Sequence, residues 1–108
     1  MPPIALDMSK VSDWASFHVM FACALGFPPY YGRNMDAWID CMSSLAEKRP
    51  LANVHLGDGE QLVVVLLQFE AFSKRLPAIA RELLSCTAIV NRRYAELGDS
   101  RRVVVVPE

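Results

Sequence analysis

The run FPPYYGRNMDAWIDCM, Phe27 to Met42, changes character half-way along its length. Pro28 and Pro29 lack backbone N–H groups and have a fixed φ, so no helix passes through them. Asn34 has the short polar side chain that caps helix N-termini, and helical spacing begins just after it. On a helical wheel Met35, Trp38, Met42 and Leu45 fall on one side, and Asp36, Asp40, Ser43 and Ser44 on the other. The spacing predicts a helix from Met35 to about Ala46, with Ile39 on the border between the stripes. Asp36 and Asp40, four residues apart, lie one above the other on the outward face.

Upstream, Ile4-Ala5-Leu6 reads as a first short strand. Ser12 is a candidate N-cap for a helix carrying Trp14, Phe17, Phe21, Ala24 and Leu25 at helical spacing, which Gly26 closes. Downstream, Lys48–Gly59 is rich in turn residues, and Gly57-Asp58-Gly59 suits the tight turn of a hairpin. Val54 and Leu56 flank His55 in an alternating pattern, which leaves open one extra short strand near 53–56. Leu62–Leu67 is apolar without alternation, as in a central strand covered on both faces. Glu70–Leu76 reads as a short helix. Pro77 then starts a longer one, with apolar residues Ile79, Leu83, Cys86, Val90, Tyr94 and Leu97, and Gly98 ends it. Val103–Val106 is another apolar strand. Strands joined by long helical connections pair in parallel. The expectation is an α/β fold, a three-stranded parallel β-sheet packed with about four α-helices, as a single domain over 1–108.

Composition narrows the function. Hydrophobic residues make up 53% of the 108 residues, ample for a core, and the net charge of -1 excludes a strongly basic nucleic-acid footprint. Charge is even along the chain: residues 1–54 hold four Lys/Arg and five Asp/Glu, and residues 55–108 hold seven of each. The apolar run Leu62–Leu67 is far below membrane-spanning length. Three scattered cysteines, Cys23, Cys41 and Cys86, read as reduced and buried. A cytoplasmic protein with no membrane partner is the expectation.

Catalytic chemistry finds little support. His18 and His55 have no cysteine or carboxylate at metal-ligand spacing, so no metal is expected. Cys41 lies toward the core side of its helix with no histidine nearby in sequence, and reads as a structural thiol. There is no phosphate loop or nucleophile elbow. Asp36 and Asp40 on an exposed face lack the desolvated setting that general acid and base work needs. No cofactor and no enzymatic activity are expected. A binding face fits better, because tyrosine brings a large apolar body with one polar tip to interfaces. Tyr30, Tyr31 and Gly32 lead straight into the acidic helix.

Pro29-Tyr30-Tyr31-Gly32-Arg33-Asn34-Met35-Asp36-Ala37-Trp38-Ile39-Asp40-Cys41-Met42 closely resembles the signature of the barstar family: Pro-x-Tyr-Tyr-Gly-x-Asn-Leu-Asp-Ala-x-x-Asp-Cys-Leu. Outside this segment the likeness is weaker. The element order, including the strand before Gln68-Phe69-Glu70 and the final valine strand, still suits a barstar-like fold over nearly the whole chain. The resemblance implies an intracellular inhibitor that plugs the active site of an extracellular-type ribonuclease, or of another toxin protein with a cationic site. It carries Tyr30 onto an interface tyrosine, Gly32 onto a loop residue near the enzyme's catalytic groups, and Asp36 and Asp40 onto the aspartates that meet its phosphate-binding pocket. A nuclease must hold phosphates with Arg and Lys, so carboxylates can take their place.

The expected partner-binding set is Tyr30, Gly32, Asp36, Ile39 and Asp40, with Arg33 and Asn34 at its edge and Asn34 chiefly a helix cap. Two positions depart from the family pattern. Ile39 stands where the prototype has tryptophan, and Arg33 replaces an acidic residue. Arg92 and Arg93 end the fourth helix where no interface glutamate can be matched. The alternative reading is a barstar-fold regulatory or scaffold binding module without nuclease inhibition.

Overall fold

A computed structural model describes residues 2–108. The chain runs β1 (Ile4–Asp7), a 3-10 turn (Met8–Lys10), α1 (Trp14–Leu25), α2 (Met35–Ser43), β2 (Gln61–Leu67), α3 (Phe69–Arg75), α4 (Pro77–Glu96) and β3 (Arg102–Pro107). The three strands form a parallel sheet in the order β1-β2-β3, with Ile4 opposite Val64 and Val64 opposite Val105. The α/β fold with a three-stranded parallel sheet and four helices is therefore the one that the sequence pattern implies. The central place falls to β2, the most apolar strand. Its Leu62, Val64 and Leu66 are fully buried, while Val63 and Val65 on the other face are half-buried.

Helices α1 and α2 begin and end for local reasons. The α1 cap is Asp13, not Ser12. The Asp13 carboxylate accepts from Ser16 N at 2.8 Å, and the Ser16 hydroxyl accepts in return from Asp13 N at 3.1 Å. This reciprocal box satisfies two orphan donors. Gly26 ends α1 at φ 66, and a side chain there would run into Asn53, whose N–H donates to Leu25 O. Asn34 caps α2 as expected, its Oδ1 accepting from Ala37 N at 2.8 Å. That helix stops at Ser43, short of Ala46. The Ser44 side chain is buried rather than outward, donating to Cys41 O and accepting from Leu51 N.

Other expectations are corrected by tertiary packing. Residues 53–56 form no strand: Val54 and Leu56 are buried and His55 exposed, but Leu56 N bonds to Leu45 O, a loop carbonyl. The Gly57–Gly59 turn forms, with Glu60 N donating to Gly57 O, but closes no hairpin. Leu97 is exposed, beyond the reach of the core at the end of α4, and Cys23 is exposed on α1.

The core gathers Phe17, Phe21, Trp38, Met42, Leu66, Phe72, Leu83 and Tyr94 between the helices and the sheet. It fixes α2 in place. Trp38 is wholly buried, edge-on to Phe21. From α4, the buried Tyr94 hydroxyl donates to Met42 O at 2.8 Å and accepts from Leu45 N at 3.2 Å. Two otherwise unpaired backbone groups at the end of α2 are satisfied across a helix–helix contact. Asn91 does the same for β3, its side-chain amide donating to Val103 O and accepting from Val103 N, both at 2.8 Å.

Candidate functional site

The loop from Gly26 to Asn34 sorts its two tyrosines in opposite directions. A turn with Tyr31 N donating to Pro28 O at 2.9 Å reverses the chain. Tyr31 then packs inward against Phe27, ring centres 4.8 Å apart, and its hydroxyl shares a 2.6 Å hydrogen bond with His18 Nδ1 on α1. His18 is itself buried, with Trp14 stacked on it at 5.7 Å. Burial, and next the positive charge of Arg33, hold the imidazole pKa below its ordinary value, so it stays neutral. With Tyr31 anchored, Tyr30 projects outward and is 77% exposed. Beside it Phe27, Pro28, Pro29, Pro50 and Leu51 line a shallow cleft.

Gly32 and Arg33 exchange the roles that their residue types suggest. The left-handed backbone belongs to Arg33, at φ 53, whereas Gly32 has no positive φ. Gly32 is instead a matter of space. A Cβ there would press on Asn34, whose Nδ2 donates to Gly32 O at 3.3 Å. Asn34 is thus occupied with the helix start and the loop behind it. Arg33 is exposed and lines a cleft of about 230 Å³ with Trp14, His18, Asn34 and Met35.

On α2, Asp36 and Asp40 are both exposed, one turn apart, as the wheel requires. Asp36 lies in the first turn, where the helix dipole favours a carboxylate. Asp40 forms an ion pair with Arg93 of α4 at 3.1 Å. Ile39, expected at the edge of the face, is only 7% exposed and joins the core. Helices α2 and α4 pack side by side, which brings Glu82 into the neighbourhood. The Cys86 thiol contacts the Glu82 carboxylate at 3.8 Å and also feels the charge of Asp36. The exposed Glu82 and Arg93 are the two side chains of this region that sequence reasoning did not assign. Their only sequence signals are the four-residue spacing of Glu82 from Cys86 and a basic helix end, neither of which says what they face.

The cysteines here are poor nucleophiles. Burial, with Asp40 beside it, pushes the Cys41 thiol up to about 11; burial and then Glu82 raise Cys86. Among the described residues no three His, Cys, Asp or Glu side chains converge as a metal site needs. No helix among them is long and apolar enough to cross a membrane. What the arrangement offers is an exposed tyrosine and carboxylates on a rigid support.

The family model described as Barstar (barnase inhibitor) matches residues 1–106. The chain belongs to the barstar family. No curated protein matches it. Membership agrees with the fold, and the family is described by inhibition of barnase.

Proposed function

We propose that this barstar-family chain is a non-catalytic, cytoplasmic inhibitor, a single domain over 1–108 that neutralises an extracellular-type ribonuclease or another toxin with a cationic active site. Tyr30, Gly32, Asp36 and Asp40 form the docking face, Arg33 and Asn34 its edge, and Ile39 supports it from beneath. One observation carries the reading: Asp36 and Asp40 stand exposed on a helix whose other side is locked by Trp38, Met42 and Tyr94. Carboxylates on so rigid a support lose little freedom on docking, which favours affinity. They match a pocket built to hold phosphates without the chain resembling a nucleic acid otherwise. No nucleic acid and no membrane take part, and an immunity role within a toxin–antitoxin pair follows. The test is inhibition of RNA cleavage by the secreted ribonucleases of the same source. Stoichiometric inhibition of one of them supports the reading, and unchanged cleavage by all of them contradicts it.

A second reading, a barstar-fold regulatory or scaffold module that inhibits no nuclease, is favoured by one feature. Arg93 already answers the charge of Asp40 within the chain. An adjacent toxin-like reading frame would separate the two readings in favour of immunity.

A further inference from the structure

The outer face of α2 and α4 is not uniformly acidic. At one end Asp36 and Glu82 both lie near Cys86, and among the described residues neither has an ion-pair partner. One turn along α2, the Asp40 carboxylate meets the Arg93 guanidinium at 3.1 Å, with side chains 62% and 49% exposed. The exposed Arg33 lies apart from this pair, in the cleft it lines with Trp14 and His18. Three carboxylates thus share this face with the Arg93 guanidinium.

We propose, resting on the docking-face reading above, that Arg93 is the selectivity residue of this face. It neutralises Asp40 toward a purely cationic pocket and suits a partner that offers Asp40 a cation and Arg93 an anion or a carbonyl. The chemistry follows from the geometry. The contact is a single Nη1–Oδ1 approach, so the second Asp40 oxygen and the remaining guanidinium donors stay available. A pocket holding only Arg and Lys must approach Asp40 against the charge of Arg93, and like charges brought together are the usual means of rejecting a wrong partner. A pocket with an acceptor beside its cation extends the pair into a network instead. The pair is exposed on both sides, so its removal should leave the fold intact.

Barnase, whose inhibition defines the family, serves as the probe of a phosphate-binding pocket. Inhibition constants are measured for the wild type, Arg93→Ala, Arg93→Glu, Asp40→Asn and Arg93→Ala/Asp40→Asn, with circular dichroism confirming the fold. Arg93→Ala should tighten inhibition at least tenfold and Arg93→Glu further. In the Asp40→Asn background the gain from Arg93→Ala should shrink several-fold, because the freed carboxylate is its main source. Equal or weaker inhibition by Arg93→Ala overturns the inference and leaves the docking face standing. So does a gain of the same size in the Asp40→Asn background. No inhibition by any variant overturns both this inference and the docking-face reading for such a pocket.

Discussion

Tyr31 and His18 are joined by a 2.6 Å hydrogen bond that ties the loop before α2 to the middle of α1. The bond turns one of two consecutive tyrosines inward and leaves the other, Tyr30, to solvent. Tyr31→Phe keeps the ring against Phe27 but leaves His18 Nδ1 buried without its partner. The expected loss is about 1–3 kcal/mol of unfolding free energy, the cost of an unsatisfied buried polar group. Urea unfolding measures it, and a midpoint equal to the wild type would show that the bond contributes nothing.

The same pair gives the fold an acid-sensitive point. Burial first, and Arg33 second, hold the His18 pKa below its ordinary 6.5. The unfolded chain therefore takes up this proton before the folded one does. Stability linked to His18 is complete above about pH 6.5 and is lost as pH falls toward the folded pKa. Asp7, Asp13, Glu60 and Asp99, held below the usual carboxylate range chiefly by hydrogen bonds, add a separate loss in more acid solution. An NMR titration should place the His18 midpoint below 6.5; a midpoint at or above it contradicts the buried neutral imidazole.

Asn34→Ala removes the acceptor for Ala37 N and the donor to Gly32 O together. A stability loss of about 1 kcal/mol is expected for the cap alone. Asn34→Asp, which keeps the acceptor and suits the positive helix end, should recover most of it. Thermal melts of the two variants check this, and equal melting temperatures would deny Asn34 its capping role.

The three thiols should react in a fixed order. Cys23 is exposed, whereas Cys41 and Cys86 are buried with raised pKa values. In the native protein at neutral pH a thiol reagent followed by mass spectrometry should label Cys23 alone at first, and all three after unfolding. Rapid labelling of native Cys41 would contradict its placement behind Asp40.

How much of this was readable from the sequence depends on the range of the interaction. The runs Leu62–Leu67 and Val103–Val106 carry the sheet, and Asn34, Gly26 and Pro77 mark helix ends through chemistry that acts within a few residues. Even there, Ser12-Asp13 offers two adjacent caps, and it is the Asp13 carboxylate that accepts from Ser16 N. At 53–56 the alternation of buried and exposed residues is real, but a strand also needs a neighbour, and Leu56 finds a loop carbonyl instead. The outward face of Asp36 and Asp40 is a local consequence of helical period. The answer of Arg93 to Asp40, 53 residues away, exists only because α2 packs on α4. Ile39 shows the limit of a wheel, since a border position is settled by tertiary packing, which buries it.

The central claim is that Asp36 and Asp40 carry the docking face. Its most direct test is the inhibition constant for barnase, measured for the wild type and for Asp36→Ala/Asp40→Ala, with unfolding curves recorded for both. Both carboxylates are exposed on α2, so the double variant should unfold within about 1 kcal/mol of the wild type. Its inhibition should weaken at least about tenfold, or 1.4 kcal/mol. Equal inhibition by the two proteins would contradict the account.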